Sequence, residues 1–159
     1  MNPSATDIAH IQHCIALSEA AIQRGDAPFG SLIARGDEII SEGINNKNFR
    51  ISKHAEIIAL NLAAEKLGHR RLEGLTLYTS CEPCPMCSFM IREFHISRVV
   101  FAMHSPHMGG FNRWPILQDA RLRELGPIFG APVEVIGGVL EAEAKAVMAQ
   151  TFLIDYFRT

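Results

Sequence analysis

A chain of 159 residues, 48% hydrophobic and 20% charged, suits one globular domain that buries a full core without disulfide staples. A net charge of −2 argues against an electrostatic nucleic-acid binder. No apolar run reaches the length of a membrane span, and the start MNPSATDIAH lacks the basic-then-apolar pattern of a leader. The expectation is a single cytoplasmic domain over 1–159, with no membrane partner and with nucleic acid disfavoured as a partner.

In chain order, Ile8, Ile11, Ile15 and Ile22 recur near one helical face, so a helix is expected from about Asp7 to Arg24. Ser4-x-x-Asp7 starts it and Gly25 stops it. Pro28 to Ala34 and Glu38 to Ile44 read as two strands joined by a turn at Arg35-Gly36-Asp37, and polar Asn45 to Ser52 reads as a loop. A second helix is expected over Lys53 to Leu67, with Ser52 as N-cap and Gly68 as terminator. Leu75 to Thr79 is a short strand, and Pro83 or Pro85 opens a helix reaching about Phe94. Arg98 to Met103 is a strand, Ser105 to Pro115 a loop punctuated by Gly and Pro, and Ile116 to Leu125 a short helix. Val133 to Ile136 is strand-like, and Leu140 to Tyr156 is a final helix. Strands alternating with helices after an initial hairpin imply an α/β fold: a three-layer α/β/α sandwich around a mixed sheet of about five strands.

The chemistry concentrates in two short motifs, His54-Ala55-Glu56 and Pro83-Cys84-Pro85-Met86-Cys87. His54, Cys84 and Cys87 make three zinc ligands. A structural zinc site closes with four protein ligands, whereas a catalytic one keeps a position for water. Cys84 and Cys87, three apart at a helix start, share a face, and the helix dipole there favours thiolate. Glu56, not needed as a ligand, is placed to move protons between water, substrate and leaving group. Cys81, Cys84 and Cys87 also form a C-x2-C-x2-C run of the iron–sulfur kind, but the remaining cysteine, Cys14, lies far away in the first helix. The bland alternative is a noncatalytic zinc-stabilised scaffold or RNA-binding module, against which the spare Glu56 argues.

These motifs, with PFGSLIA at 28–34 and TLYTSCEPCPMC at 76–87, resemble the zinc-dependent cytidine/deoxycytidylate deaminase superfamily, in the branch of guanine deaminases, cytosine deaminases and tRNA adenosine deaminases. The resemblance runs from about Pro28 to Phe101, and beyond Phe101 the chain departs from both purine branches. It implies a cytidine deaminase-like fold, Zn²⁺ as cofactor and hydrolytic release of ammonia from a free nucleobase or related aminoheterocycle. The SCEPCPMC wording points first to guanine or another aminopurine, with adenosine in tRNA and then cytosine as alternatives. It further implies Asn45 and Phe29 at the base, backbone N–H groups near Ala55 and Cys84 holding base and water, and a homodimer.

The segment from His104 to Trp114 is rich in groups that stack on or hydrogen-bond a planar ring. It is expected to lid the pocket, with His104, His107 or Trp114 touching substrate; packing against a core or partner is the competing role for its aromatics. His10, His13, His69 and His95 lack ligand spacing and read as surface or packing residues. Cys81 reads as a small buried neighbour of the site, and Glu82 as a solvated loop charge.

Overall fold

The computed structural model describes residues 2–48 and 50–158. Five strands, β1 (Gly30–Arg35), β2 (Glu38–Ile44), β3 (Thr76–Cys81), β4 (Arg98–Met103) and β5 (Glu134–Ile136), form one sheet in the order β2-β1-β3-β4-β5. The β1–β2 and β1–β3 pairs are antiparallel, and β3–β4 and β4–β5 are parallel. Four helices cover the sheet: α1 (Ala5–Gln23), α2 (Ala55–Leu67), α3 (Pro85–Glu93) and α4 (Glu141–Met148).

The period of two along each strand sorts the core into two layers. Ile33, Leu77, Val99 and Phe101 pack with Leu60 of α2 and Ile91 of α3. Leu32, Ala34, Tyr78, Val100 and Ala102 pack with Ile11 of α1 and Ala144 and Met148 of α4. The result is the expected α/β/α sandwich with a mixed five-stranded sheet. No helix among the described residues is long and apolar enough to cross a membrane.

Local signals explain most boundaries. Ser4 and Asp7 close a reciprocal capping box at the start of α1. Asp7 is also buried against the sheet, where it accepts from Arg98 Nη1 at 2.6 Å, Arg98 Nη2 at 2.9 Å and the Tyr78 hydroxyl at 2.9 Å. That ion pair holds the Asp7 carboxyl well below the usual carboxylate range despite burial, and burial with Asp7 beside it pushes Tyr78 up to about 12.

Three expected elements differ. The second helix begins at Ala55, so His54 rather than Ser52 occupies the N-cap. Ile116 to Leu125 is not an α-helix, and only Ala120–Leu125 forms a 3₁₀ turn. The reason lies in Arg92, fully buried on α3. Its guanidinium donates to the carbonyls of Ile116, Asp119 and Gly130 at 2.7, 2.9 and 3.0 Å, turning toward itself oxygens that a helix would use. The final helix stops at Met148. Thr151 is extended and returns its hydroxyl to the Met148 carbonyl at 2.9 Å, after which Phe152–Phe157 makes a separate 3₁₀ segment.

Candidate active site

Two helix starts meet beneath the sheet edge. His54 occupies the N-cap position of α2, Cys84 that of α3, Pro85 is the first helical residue after it, and Cys87 follows in the first turn. Neither N-cap side chain is used to cap its own helix, which leaves the imidazole and the thiol to face each other. Gly43 on β2 makes this possible, because a Cβ there would overlap the Ala55 carbonyl oxygen and push the start of α2 away from the sheet.

The geometry fits zinc. His54 Nδ1 lies 3.7 Å from Cys84 Sγ and 3.5 Å from Cys87 Sγ. A tetrahedral ion with ordinary Zn–N and Zn–S bonds spaces such a nitrogen and sulfur about 3.6 Å apart. The three ligand atoms all lie within 4.8 Å of one another, and Cys81 is not part of the group. The three groups shift one another's pKa. The Cys87 thiol beside it, with help from His54 and against burial, brings Cys84 down to about 4. Cys84 in turn holds His54 up, and the same neighbour together with burial raises Cys87. A site that already stabilises one thiolate is electrostatically prepared for a cation.

Glu56 is the second residue of α2, 5% exposed, with Oε2 3.6 Å from Cys87 Sγ and Oε1 accepting from the Thr79 hydroxyl at 3.3 Å. Burial, then the neighbouring Cys84, raises its pKa above the ordinary carboxylate value. A carboxyl poised in this way beside a metal site suits proton transfer in both directions.

These groups open onto a cavity of about 270 Å³. Its floor includes His54, Glu56, Cys81 and Cys84. Its walls come from distant parts of the chain: Phe29, Lys47, Met108, and Leu153, Tyr156 and Phe157 of the last 3₁₀ segment, with Phe29 and Phe157 rings 6.4 Å apart. Of the expected site residues, the structure thus brings together His54, Glu56, Cys84 and Cys87, and sets Phe29 in the wall. Asn45 and Ala55 are buried next to lining residues. His104, His107 and Trp114 are not in the lining; from their segment Ser105 and Met108 are.

Glu82 overturns its expectation as a solvated charge. It is 3% exposed and accepts from the backbone N–H groups of Ser105, Phe111 and Asn112 at 3.0, 3.1 and 2.7 Å, and from the Asn112 amide at 2.8 Å. Those donors arrive from a segment more than twenty residues away, so nothing local to Glu82 reveals them. Gly109 fits against this carboxylate only because it has no Cβ. Asn112 also reaches His104 Nδ1 at 2.8 Å, which directs that histidine into the fastening of the loop. Met108 lies in the segment expected to lid the pocket, whereas nothing local to Lys47 or Leu153 marks either as a lining residue.

Comparisons with known proteins agree with the geometry. The cytidine and deoxycytidylate deaminase zinc-binding region matches residues 4–103. The chain is 32% identical over 149 residues to a tRNA-specific adenosine deaminase of Bacillus subtilis, covering 92% of this chain and 88% of that protein. It is 32% identical to a probable cytosine deaminase of Schizosaccharomyces pombe, with 89% of each chain covered. A solved guanine deaminase from Bacillus subtilis superposes with a TM-score of 0.59 at 34% identity, covering 61% of this chain and 64% of that one.

Proposed function

The chain belongs to the cytidine and deoxycytidylate deaminase family of zinc-dependent hydrolytic deaminases, and from that premise we propose that its substrate is adenosine in transfer RNA, which it converts to inosine with release of ammonia. The observation that carries this choice is the 32% identity to a tRNA-specific adenosine deaminase across nearly the whole of both chains. It favours that reading over guanine, to which the SCEPCPMC wording points first but whose solved relative is matched over only 61% of this chain.

In this reading His54, Cys84 and Cys87 hold the metal. Bound zinc supplies Lewis acidity that makes water nucleophilic at neutral pH. Glu56 accepts one proton from the attacking water and delivers it to the ring nitrogen, then carries the second, from the hydroxyl so formed on the ring carbon, to the departing amine, so that water and the amino group exchange for a carbonyl and ammonia. Phe29 and Asn45 meet the base, and backbone N–H groups near Ala55 and Cys84 orient base and water. Lys47 at the mouth offers a cation to a flanking phosphate.

A second reading, deamination of free guanine or another aminopurine, has its own support. The cavity is at the small end for ligand sites, which run from about 300 Å³, and the chain's own C-terminal segment walls it, as suits one free heterocycle. A homodimer is a further proposal, supported by exposed Phe89, Met108 and Trp114, which line one surface groove, and sedimentation gives its state.

The experiment is ammonia release by the zinc-loaded protein from tRNA, free purine and pyrimidine bases, nucleosides, aminotriazines and pterins. Release from tRNA with inosine formed supports the first reading, and turnover of a free aminopurine alone supports the second. Silence across the panel sinks both.

A further inference from the structure

Thr79 belongs to neither motif that carries the metal ligands. It is fully buried on β3, the middle strand of the sheet, where it pairs with Ser31 of β1 on one side and Phe101 of β4 on the other. Its hydroxyl has one proton to give. Two acceptors lie in reach, Glu56 Oε1 at 3.3 Å and the Gly30 carbonyl at 3.5 Å. The carboxylate is the nearer and, when ionised, the stronger acceptor, so it takes the proton.

The two oxygens of Glu56 therefore have different neighbours. Oε1 meets the strand, whereas Oε2 meets Cys87 Sγ at 3.6 Å, and that sulfur lies 3.5 Å from His54 Nδ1. As a metal ligand Cys87 is a thiolate and has no proton to donate. Thr79 is then the one side-chain donor left to Glu56 among the described residues. The last torsion of a glutamate is broad and two-fold, so a carboxylate without an anchor turns easily. A donor on a strand paired on both sides is a rigid anchor.

We propose that Thr79 is a positioning residue for proton transfer: its hydroxyl ties Glu56 Oε1 to the sheet and leaves Oε2, on the side of the metal ligands, to carry the protons. This role rests on the reading of Glu56 as the proton carrier. Thr79 itself touches neither metal nor substrate. It acts by deciding which oxygen of the carboxylate does the work and by holding that oxygen in place.

The test compares two variants of the zinc-loaded protein. Thr79→Val keeps the branched shape and the strand preference but removes the hydroxyl, whereas Thr79→Ser keeps the hydroxyl and removes a methyl group. On the compound of the panel above that is turned over, Thr79→Val lowers kcat about tenfold or more with KM within about threefold, the mark of a misplaced proton-transfer group. Zinc content and melting temperature hold. Thr79→Ser keeps kcat within about threefold, even where the lost methyl lowers its melting temperature. In a Glu56→Gln background Thr79→Val changes the residual rate less than about twofold, because the group it positions is gone.

A readout free of turnover is the infrared difference spectrum between the Glu56 and Glu56→Gln proteins, which isolates the Glu56 carboxyl band. That band shifts in Thr79→Val and stays in place in Thr79→Ser. Wild-type kcat in Thr79→Val, an equal loss in Thr79→Ser, or a band that does not move overturns the role. If no compound of the panel releases ammonia, the substrate reading falls by itself, and the band alone upholds or overturns the anchor.

Discussion

The floor of the cavity and its walls are built on opposite plans. The metal site at the floor comes from two motifs of three and five residues, each placed at a helix start, so that His54, Glu56, Cys84 and Cys87 are fixed by local geometry once α2 and α3 dock on the sheet. The walls come from the ends of the chain and its least regular segment: Phe29 after α1, Lys47 after β2, Met108 after β4, and Leu153, Tyr156 and Phe157 after α4. Chemistry is therefore encoded over short distances and selectivity over long ones. Substitutions in the floor should abolish turnover of every substrate, whereas substitutions in the walls should reorder substrates.

The largest expected effect is at Glu56. Glu56→Gln keeps the shape and the neighbouring ligands, so zinc content measured by atomic absorption should stay at one per chain. Turnover should fall by about 10³-fold or more, the upper range for a lost proton-transfer group. Loss of zinc together with turnover would make Glu56 a ligand or a folding residue and erase the distinction between floor and walls.

Glu82 tests the joint between the two plans, because it leaves β3 beside the metal site and fastens the wall segment. Glu82→Ala strands the buried N–H of Ser105 and takes the acceptor from the partly buried N–H groups of Phe111 and Asn112, at a cost of about 1–3 kcal/mol for the buried donor and less for each of the others. Chemical denaturation should report this as a lowered midpoint, and hydrogen exchange should quicken over 104–112. Unchanged stability would mean that the loop finds equivalent acceptors, and that the wall does not depend on the floor.

Asp7 provides a scaffold control remote from the cavity. Its unfolded pKa is about 3.9, and its folded pKa is depressed by Arg98, so the ion pair contributes its full stability at neutral pH. That contribution is lost as pH falls below about 4 toward the folded value. Asp7→Asn should cost about 2 kcal/mol at pH 7, since it leaves Arg98 only Glu134 as a carboxylate partner, and should flatten the acid limb of the stability curve. kcat per zinc-loaded molecule should be unchanged, and a fall in it would place the scaffold inside the catalytic coupling.

What was legible in the sequence follows the same division. The mixed sheet and its helix layers followed from strands alternating with helices after an initial hairpin, with strands 38–44 and 98–103 read to the residue. The metal group was legible because its members are separated by short, rigid spacings. The helix expected at 116–125 failed because Arg92, a residue with no local signature, takes the carbonyls that helix would use. Glu82 failed in the same way, since a carboxylate beside a helix start reads as solvated until a distant loop delivers its donors. His104, His107 and Trp114 carry the right chemistry for a base, yet the loop docks through Asn112 and presents Ser105 and Met108 instead.

The smallest effect in energy is the most discriminating for substrate. Leu153, Tyr156 and Phe157 reach the cavity only because Thr151 breaks the last helix at Met148. Replacing Tyr156 and Phe157 together by Ala removes aromatic wall and the contact with Phe29, but touches none of the floor. A free base enclosed by that wall should lose about tenfold in KM, the scale of one stacked ring, while kcat stays within about threefold. If tRNA is the substrate, the segment must either move aside or stack on the RNA. The double variant then binds RNA as well or better in the first case, and loses affinity at every salt concentration in the second. An equal loss of kcat on all substrates would contradict the division outright, because it would mean that the wall takes part in the chemical step itself.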